Sequence, residues 1–214
     1  KGQHDRIAAA RLVSNPGCYP TGFLGLVAPL VAADPIPEDW PYTVNAVSGY
    51  SGGGKALIER FESSEGADIG FRTYGLDLSH KHVPEMQTHA GLGLAPIFSP
   101  AVVRAFRGMM VEVPLPISVM PGSDSPEEMR ACLAQHYAGS PVVTVHEQLA
   151  PSELLILNTQ EPSDRLDLYV LGSPDNTQVR LMAMLDNLGK GASGAAVQNL
   201  NIMAGLDETA GLRL

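Results

Sequence analysis

A cysteine stands at the junction between a tight turn and a long apolar segment, and this junction constrains the chain more than any other feature. Residues 15–21 are Asn-Pro-Gly-Cys-Tyr-Pro-Thr, and the apolar segment Tyr19 to Ala33 overlaps and extends them. The apolar segment predicts a buried helix kinked at Pro29, with Cys18 at its N-terminus. Free backbone N–H groups and the helix dipole favour a thiolate there, which predicts a lowered pKa and a reactive sulfur. The alternative is an inert cysteine, because free cysteines are commonly buried.

Two histidines in segment 80–85, His-Lys-His-Val-Pro-Glu, are candidates for acid/base chemistry with this thiol. A nucleophilic thiol usually needs an imidazole partner. In an extended segment His80 and His82 would point to opposite sides, so one could face Cys18 while the other faces solvent or a ligand. Glu85 could orient an imidazole or compensate a helix dipole. The same residues could in principle hold a metal, but no separate ligand motif supports this, and we predict no metal site.

Two glycine-rich segments are candidate binding loops. Segment 48–55, Ser-Gly-Tyr-Ser-Gly-Gly-Gly-Lys, offers amides, hydroxyls and one cation to an anionic group, although a flexible surface loop is the alternative. Segment 186–199 places small residues at a helix start, where a backbone or a cofactor could approach closely; a tightly packed terminal helix is the alternative. Neither segment has the Gly-x-Gly-x-x-Gly pattern between a strand and a helix, so no dinucleotide-binding half is predicted.

Length, charge and cysteine content exclude several classes of protein. The 214 residues suffice for one large domain or two small ones. Lys and Arg total 14 against 23 for Asp and Glu, and the net charge of -9 disfavours nucleic-acid binding. Two cysteines cannot form a disulfide framework, which favours a reducing cytoplasm, and the apolar stretch Gly22 to Ala33 is too short for a bilayer. The chain starts without Met or an apolar signal sequence, so we expect a piece of a longer protein.

The remaining pattern predicts a sheet covered by helices. The predicted strands are Ala8 to Ser14, Tyr42 to Val47, Leu94 to Phe98, Met109 to Val113, Val142 to Val145, Arg165 to Leu171 and Gln178 to Leu185. The predicted shorter helices are Lys55 to Phe61, Val83 to His89, one from a capping box at 125–128 to Tyr137, and Gly191 to Leu206. Such an order suggests an α/β (α+β) fold with a mixed or antiparallel sheet and helices on one face.

Together these segments resemble the N-acetyl-gamma-glutamyl-phosphate reductase family of arginine biosynthesis, in the shorter of its two length types. The matching segments are 15–21, Ser-Gly-x-Ser-Gly at 48–52, 80–85, and Lys-Gly-Ala-Ser-Gly-Ala-Ala-Val-Gln-Asn at 190–199. The last is shared with aspartate-semialdehyde dehydrogenases. The resemblance implies a catalytic and dimerisation domain like that of glyceraldehyde-3-phosphate dehydrogenase over residues 1–186. It also implies a C-terminal helix, 187–214, that packs on an N-terminal NADP-binding Rossmann domain largely absent from this chain.

The resemblance further implies roles for individual residues. Cys18 would attack an acyl phosphate and form a thioacyl enzyme, which NADPH reduces to a semialdehyde. His82 would be the general acid/base, with His80 as the second choice or a phosphate contact. The implied substrate contacts are Asn15, Ser48, Gly49, Ser51, Gly52 and Glu85, and the implied cofactor contacts are Asn187, Gly194 and Gln198. We expect this chain alone to fold without turning over NADPH, and we expect its apolar strands to form the interface of a homo-oligomer, a dimer or a tetramer.

Three other functions remain open at this point. One is the sibling reaction on aspartyl phosphate, which substrate trials would separate. Another is a thiol hydrolase or transferase that uses Cys18 and His82 without a nicotinamide cofactor. The third is a non-catalytic dimerisation module, which predicts an unreactive Cys18.

Overall fold

A mixed seven-stranded sheet forms the centre of the fold in the computed structural model, which describes residues 2–147 and 152–214. The strands are β1 (Thr43–Gly49), β2 (Phe71–Thr73), β3 (Ile97–Val103), β4 (Met109–Leu115), β5 (Val143–Val145), β6 (Leu166–Gly172) and β7 (Val179–Leu185). Their order across the sheet is β2-β3-β1-β4-β7-β6-β5. β1 pairs with β3 and β5 pairs with β6 in parallel, whereas the other neighbouring pairs are antiparallel. The predicted mixed sheet is therefore confirmed.

Six α-helices, one 3-10 turn and one π-helical turn accompany the sheet within the described ranges. The helices are α1 (His4–Ala8), α2 (Cys18–Ala32), α3 (Gly54–Glu62), α4 (His82–Ala90), α5 (Pro126–His136) and α6 (Gly194–Met203). A 3-10 turn (Tyr50–Gly53) precedes α3, and a π-helical turn (Gly189–Ser193) precedes α6. The capping box predicted at the start of α5 is confirmed, because Ser125 and Glu128 bond each other's backbone N–H groups.

One face of the sheet carries the core. Along β4 the side chains at 109, 111, 113 and 115 are buried, whereas those at 110, 112 and 114 are partly exposed. This alternation follows from the two-residue period of a strand. Helix α2 lies on the buried face, and it can approach closely because Gly22 has no side chain: a Cβ there would lie 2.8 Å from Val111 Cγ2. Helices α4 and α5 pack against α2, so the central helix of the core is the one that begins at Cys18.

Pro29 lies inside α2 without ending it. A proline has no N–H, so it leaves the carbonyl four residues earlier, Gly25 O, without its helical partner. Tyr137 Oη, just past the end of α5, donates to that carbonyl at 2.9 Å. The neighbouring helix thus satisfies the group that the proline leaves free, and α2 continues to Ala32.

Several predicted boundaries are wrong. The chain from 9 to 17 is not a strand: α1 ends at Ala8, and Leu12 is 91% exposed with no neighbouring strand. The strand expected over 94–98 begins at Ile97 and runs through Pro100, whose missing N–H is tolerated between β1 and β2. The terminal helix expected from Gly191 begins at Gly194, after the π-helical turn. The short edge strand β2 was not predicted at all.

Within the described part of the chain, no helix is both long enough and apolar enough to cross a bilayer.

Candidate active site

Cys18 is the first residue of α2, with Gly17 as the N-cap. The predicted position at a helix N-terminus is therefore confirmed. The predicted low pKa is wrong: burial raises the pKa of the Cys18 thiol. The backbone amides of Cys18 and Tyr19 and the charge of Lys81 act in the opposite direction but do not outweigh desolvation. At neutral pH the sulfur is thus mainly a thiol, and its activation requires removal of a proton.

The first turn of α4 holds the residue that precedes Cys18. Glu85 Oε1 accepts a hydrogen bond from Gly17 N–H at 2.9 Å. On the same helix face, the His82 imidazole lies so close to Gly17 that a Cβ there would overlap Nε2. Residues three apart on a helix share a face, so His82 and Glu85 contact Gly17 together. Glu85, expected as a substrate contact, is placed by the structure on the backbone beside the thiol.

The two histidines are neighbours. Their ring centroids are 4.7 Å apart, and the backbone N–H of His82 donates to His80 Nδ1 at 3.2 Å. The expectation that they point to opposite sides is wrong, because His82 begins a helix and the segment is not extended. The bond to Nδ1 places the proton of neutral His80 on Nε2, which is then a donor.

Burial governs the protonation of both imidazoles. It lowers the pKa of His80, and it lowers the pKa of His82 to about 4. His82 is 9% exposed, and its Nδ1 has no hydrogen-bond partner among the described residues. Both rings are therefore neutral at pH 7, and a neutral imidazole is the form that can accept a thiol proton. No hydrogen bond joins Cys18 Sγ to either ring in the described ranges; such bonds commonly tighten only when substrate binds.

An aromatic group that the sequence analysis missed surrounds the imidazoles. The Tyr19 ring contacts His80 and His82 at centroid distances of 6.4 and 5.9 Å. Its Oη donates to Ala101 O, and Tyr74 Oη donates to Tyr19 Oη, each at 3.2 Å. The sequence analysis gives Tyr19 no role in the site, although its position directly after the cysteine is a usable signal.

The π-helical turn lies on the other side of the thiol. A Cβ on Gly191 would lie 2.9 Å from Cys18 Cβ, and Gly191 N–H donates to Asp186 O at 2.9 Å. The small residue at 191 therefore serves tight packing, as the packed interpretation of this segment predicts, and the group packed against it is the residue that carries the sulfur.

Backbone hydrogen bonds to a neighbouring turn hold only the first residues of the loop after β1, up to Ser51. Three consecutive amides, those of Gly49, Tyr50 and Ser51, donate to carbonyls of the turn at 105–108, at 2.8 to 3.1 Å. Ser48 and Ser51 are buried, whereas the residues from Gly52 to Lys55 are exposed. The loop is therefore neither wholly flexible nor wholly packed: a rigid base presents an exposed glycine segment.

The predicted cofactor contacts are placed differently from one another. Asn187 is buried between the loop and β4, and both ends of its amide are hydrogen-bonded within the protein. Gly194 packs against Asp164, whose carboxylate a Cβ there would overlap. Gln198 Oε1 accepts from Lys190 Nζ at 2.6 Å, and its Nε2 has no partner in the described part of the chain. Of the three, Gln198 best fits a contact to a nicotinamide carboxamide, because neither hydrogen of its Nε2 has a partner in the described ranges and the residue is not fully buried.

Asn15, the remaining predicted contact, is exposed, and its Oδ1 accepts from Asn199 Nδ2 at 2.7 Å. The structure therefore brings Cys18, His80, His82 and Glu85 into one cluster, with Asn15 at its rim. No group of three or more His, Cys, Asp or Glu side chains in residues 2–147 and 152–214 is arranged to hold a metal ion.

A thiol at a helix start beside two neutral imidazoles, on a helix-covered mixed sheet, defines a class of thiol-dependent enzymes. The family model described as semialdehyde dehydrogenase, dimerisation domain, matches residues 18–187. The chain therefore belongs to the semialdehyde dehydrogenase family, whose members are oxidoreductases and use a nicotinamide cofactor. It is 51% identical over 210 residues to the N-acetyl-gamma-glutamyl-phosphate reductases of Brucella ovis and Brucella canis. The match covers 96% of this chain and 68% of each relative.

Solved structures agree on the fold. Aspartate semialdehyde dehydrogenase II from Vibrio cholerae matches with a TM-score of 0.67 at 18% identity, over 95% of this chain and 66% of that one. The aspartate semialdehyde dehydrogenase from Francisella tularensis matches with a TM-score of 0.62 at 12% identity, over 89% of this chain and 64% of that one. Identities this low support the fold alone. In each comparison this chain is clearly shorter than the protein it matches.

Proposed function

We propose that this chain is the thiol-bearing part of an NADP-dependent reductase that converts N-acetyl-gamma-glutamyl phosphate to its semialdehyde and phosphate in arginine biosynthesis. The observation that carries the proposal is the setting of Cys18 at the start of α2, between His82 with Gly17 on one side and Gly191 on the other. The 51% identity to reductases of that name supports the substrate.

The chain's own residues supply the acyl-transfer half of the reaction. Cys18 Sγ attacks the acyl carbon as its proton passes to neutral His82, and the carbon–oxygen bond to phosphate breaks. The phosphate leaves with the bonding electron pair, and a thioester to Cys18 remains. The backbone N–H groups at the start of α2 stabilise charge on the carbonyl oxygen during the attack. His80, as a neutral Nε2–H donor, is placed to contact the substrate.

The loop after β1 is the proposed phosphate site. Ser48, Gly49, Ser51 and Gly52 form its base and its first exposed residue. Because three of its amides already bond the 105–108 turn, a phosphate would meet the serine hydroxyls and the free glycine segment.

We propose NADP(H) as the cofactor and Gln198 as its contact in this chain. When bound, the nicotinamide supplies the two electrons of the reduction as hydride. Lys190 holds Gln198 Oε1, which turns the amide Nε2 outward as a donor. Gly194 contributes indirectly, because its lack of a side chain lets α6 approach Asp164.

The organisation of the whole protein is part of the proposal. Residues 1–186 would form the catalytic and dimerisation domain, and 187–214 would pack on an N-terminal Rossmann domain supplied by the complete protein. The matching family model is named for dimerisation, and we propose a homo-oligomer that acts on a small molecule in the cytoplasm.

Trapping the acyl enzyme tests this proposal. The chain is mixed with N-acetyl-gamma-glutamyl phosphate, quenched in acid, and its intact mass and peptide map are recorded. We expect the mass of one N-acetyl-glutamyl group at Cys18, none at Cys132, and a smaller yield with aspartyl phosphate. A Cys18→Ser chain is the matched control. Absence of an adduct at Cys18 would overturn the proposal, and preference for aspartyl phosphate would move it to the sibling reaction.

A further inference from the structure

Asn187 lies just after the end of β7 and is 2% exposed. Its Oδ1 accepts from Gly108 N–H at 2.9 Å, and its Nδ2 donates to Ser51 Oγ at 2.9 Å. A backbone N–H can only donate, so the Gly108 amide fixes the orientation of the side-chain amide. The oxygen must face Gly108, and the nitrogen must face the serine.

The direction of that bond determines what the Ser51 hydroxyl can do. A hydroxyl whose oxygen accepts a hydrogen bond still has its own hydrogen to donate. In the described ranges, the Ser51 hydroxyl has no acceptor, although Ser51 is only 3% exposed. Its backbone N–H is also fixed, on Phe106 O at 3.1 Å. Ser51 therefore has a fixed hydroxyl oxygen and one hydrogen left to donate, next to the exposed glycines.

The other serine of the loop is used differently. Ser48 Oγ donates to Gly49 O at 2.9 Å, so its hydrogen is bonded within the protein. Both hydroxyl groups belong to the same loop base, yet only that of Ser51 keeps a hydrogen for an incoming anion. A hydrogen bond from a neutral donor to an anion is stronger than one between neutral groups.

We propose that Asn187 is a positioning residue that aims the Ser51 hydroxyl at the substrate phosphate, so that Ser51 rather than Ser48 donates to this anion. The inference rests on the proposed phosphate site. It gives Asn187 a role toward the substrate through Ser51, in place of the nicotinamide contact that the sequence resemblance implied.

Inorganic phosphate is the probe for this inference. Phosphate bound beside Ser51 should slow alkylation of Cys18 by iodoacetamide in the full 214-residue chain, and the readout is the phosphate concentration that halves the rate. We expect Asn187→Ala and Ser51→Ala each to raise that concentration at least about fivefold. The double variant should show no further rise in this concentration, because both changes remove the same hydrogen bond, from the positioned Ser51 hydroxyl to phosphate. Each variant's alkylation rate with phosphate is compared with its own rate without phosphate, so that any change in the reactivity of Cys18 itself cancels.

Asn201 supplies a matched control. It is also a buried asparagine, 6% exposed, and its Nδ2 donates to the carbonyls of Glu208 and Ala210 in the C-terminal segment. Asn201→Ala should lower the melting temperature about as much as Asn187→Ala does, while leaving phosphate protection unchanged. This separates a positioning role from a loss of stability.

Each other outcome overturns the inference. One is that Asn187→Ala raises the half-protecting phosphate concentration no more than Asn201→Ala does. Another is that the effects of Asn187→Ala and Ser51→Ala on this concentration are fully additive. If Asn187→Ala does not fold, Asn187→Ser decides: its side chain adds no charge and is too short to bond both Gly108 N–H and Ser51 Oγ, so it must also weaken protection. If phosphate does not protect the unaltered chain, the inference falls, whereas acyl transfer to Cys18 is decided separately by the trapped adduct.

Discussion

The two ends of helix α2 each lie beside a free cysteine, and the two thiols differ in what surrounds them. Cys18 begins the helix, where unbonded amides and the side chains of α4 surround it. Cys132 belongs to α5 and lies against the far end of α2, where its Sγ donates weakly to Pro29 O at 3.9 Å. Burial raises the pKa of both thiols. Thiol acidity therefore does not distinguish the two cysteines.

What separates them is the neighbourhood available during a reaction. At the start of α2, an attacked carbonyl would meet amide donors, and a neutral imidazole could receive the proton. At the far end, Tyr137 takes up the free carbonyl of Gly25, and the negative charge of Asp124 acts on Cys132 in the same direction as burial, raising the pKa of the thiol. The start of α2 therefore offers amide donors and a proton acceptor to a reacting carbonyl, whereas the contacts at its far end are packing contacts.

Substitution of each cysteine in turn should give the largest difference in kcat between the two ends of α2. In the full-length reductase, Cys18→Ser should lower kcat by about 10³-fold or more, because the attacking sulfur is removed. Cys132→Ser should change kcat less than about twofold, since that side chain only fills space. Steady-state assays with the acyl phosphate measure both. Equal losses for the two variants would contradict the comparison.

The rate of alkylation against pH sharpens the comparison. A raised thiol pKa means that the thiolate appears only at higher pH, and its fraction below the pKa grows about tenfold per pH unit. Iodoacetamide rates at both cysteines should thus rise about 100-fold from pH 6 to pH 8, without a plateau. Peptide mapping by mass spectrometry resolves the two sites. A plateau at Cys18 below pH 7 would instead indicate a thiolate that exists before substrate binds.

A methyl group added before Cys18 should disturb the site more than one added within the helix. Gly17→Ala places a Cβ into the His82 ring and should lower kcat by about tenfold or more, through displacement of the imidazole. Gly25→Ala is the matched control, because its Cβ would meet only the end of the Leu166 side chain, at 2.9 Å. Its effect on kcat should stay within about twofold. Similar losses for both would show that helix packing, not the imidazole, limits the reaction.

The smallest expected effect concerns stability at the far end. Tyr137→Phe leaves Gly25 O without a partner and should lower the free energy of unfolding by about 1 kcal/mol, with unchanged activity. Adding Pro29→Ala restores an N–H four residues after Gly25 and should recover part of the loss. Urea unfolding of the two variants measures this. No recovery would mean that the tyrosine acts by packing alone.

Strong local patterns were sufficient to predict much of the fold. The apolar segment after Cys18, the capping box at Ser125 and the apolar strands β4, β6 and β7 all have signals within a single element. The errors fall where pairing with a distant strand decides whether a segment forms a strand. The three residues of β2 carry no periodic pattern, and the run after Ala8 has the composition of a strand but no partner.

The site was predictable in its chemistry and not in its contacts. The types and order of Cys18, His80 and His82 were sufficient to nominate a thiol and its acid/base group. The raised thiol pKa depends on how much protein covers the sulfur, and residue order does not reveal this. The bond from Gly17 to Glu85 and the contact of Gly191 with Cys18 also depend on tertiary packing.

The bond between Asn15 and Asn199, at the rim of the site, joins residues 184 positions apart. Loop-closure entropy opposes a contact of such high sequence separation, so the contact depends on the folding of the elements between its two residues. Gly191 and Asn199 follow Cys18 by most of this sequence, so the surroundings of the thiol are complete only after both residues have been synthesised. A polypeptide truncated before Gly191 would therefore carry the sulfur of Cys18 without the contacts that surround it in the folded chain.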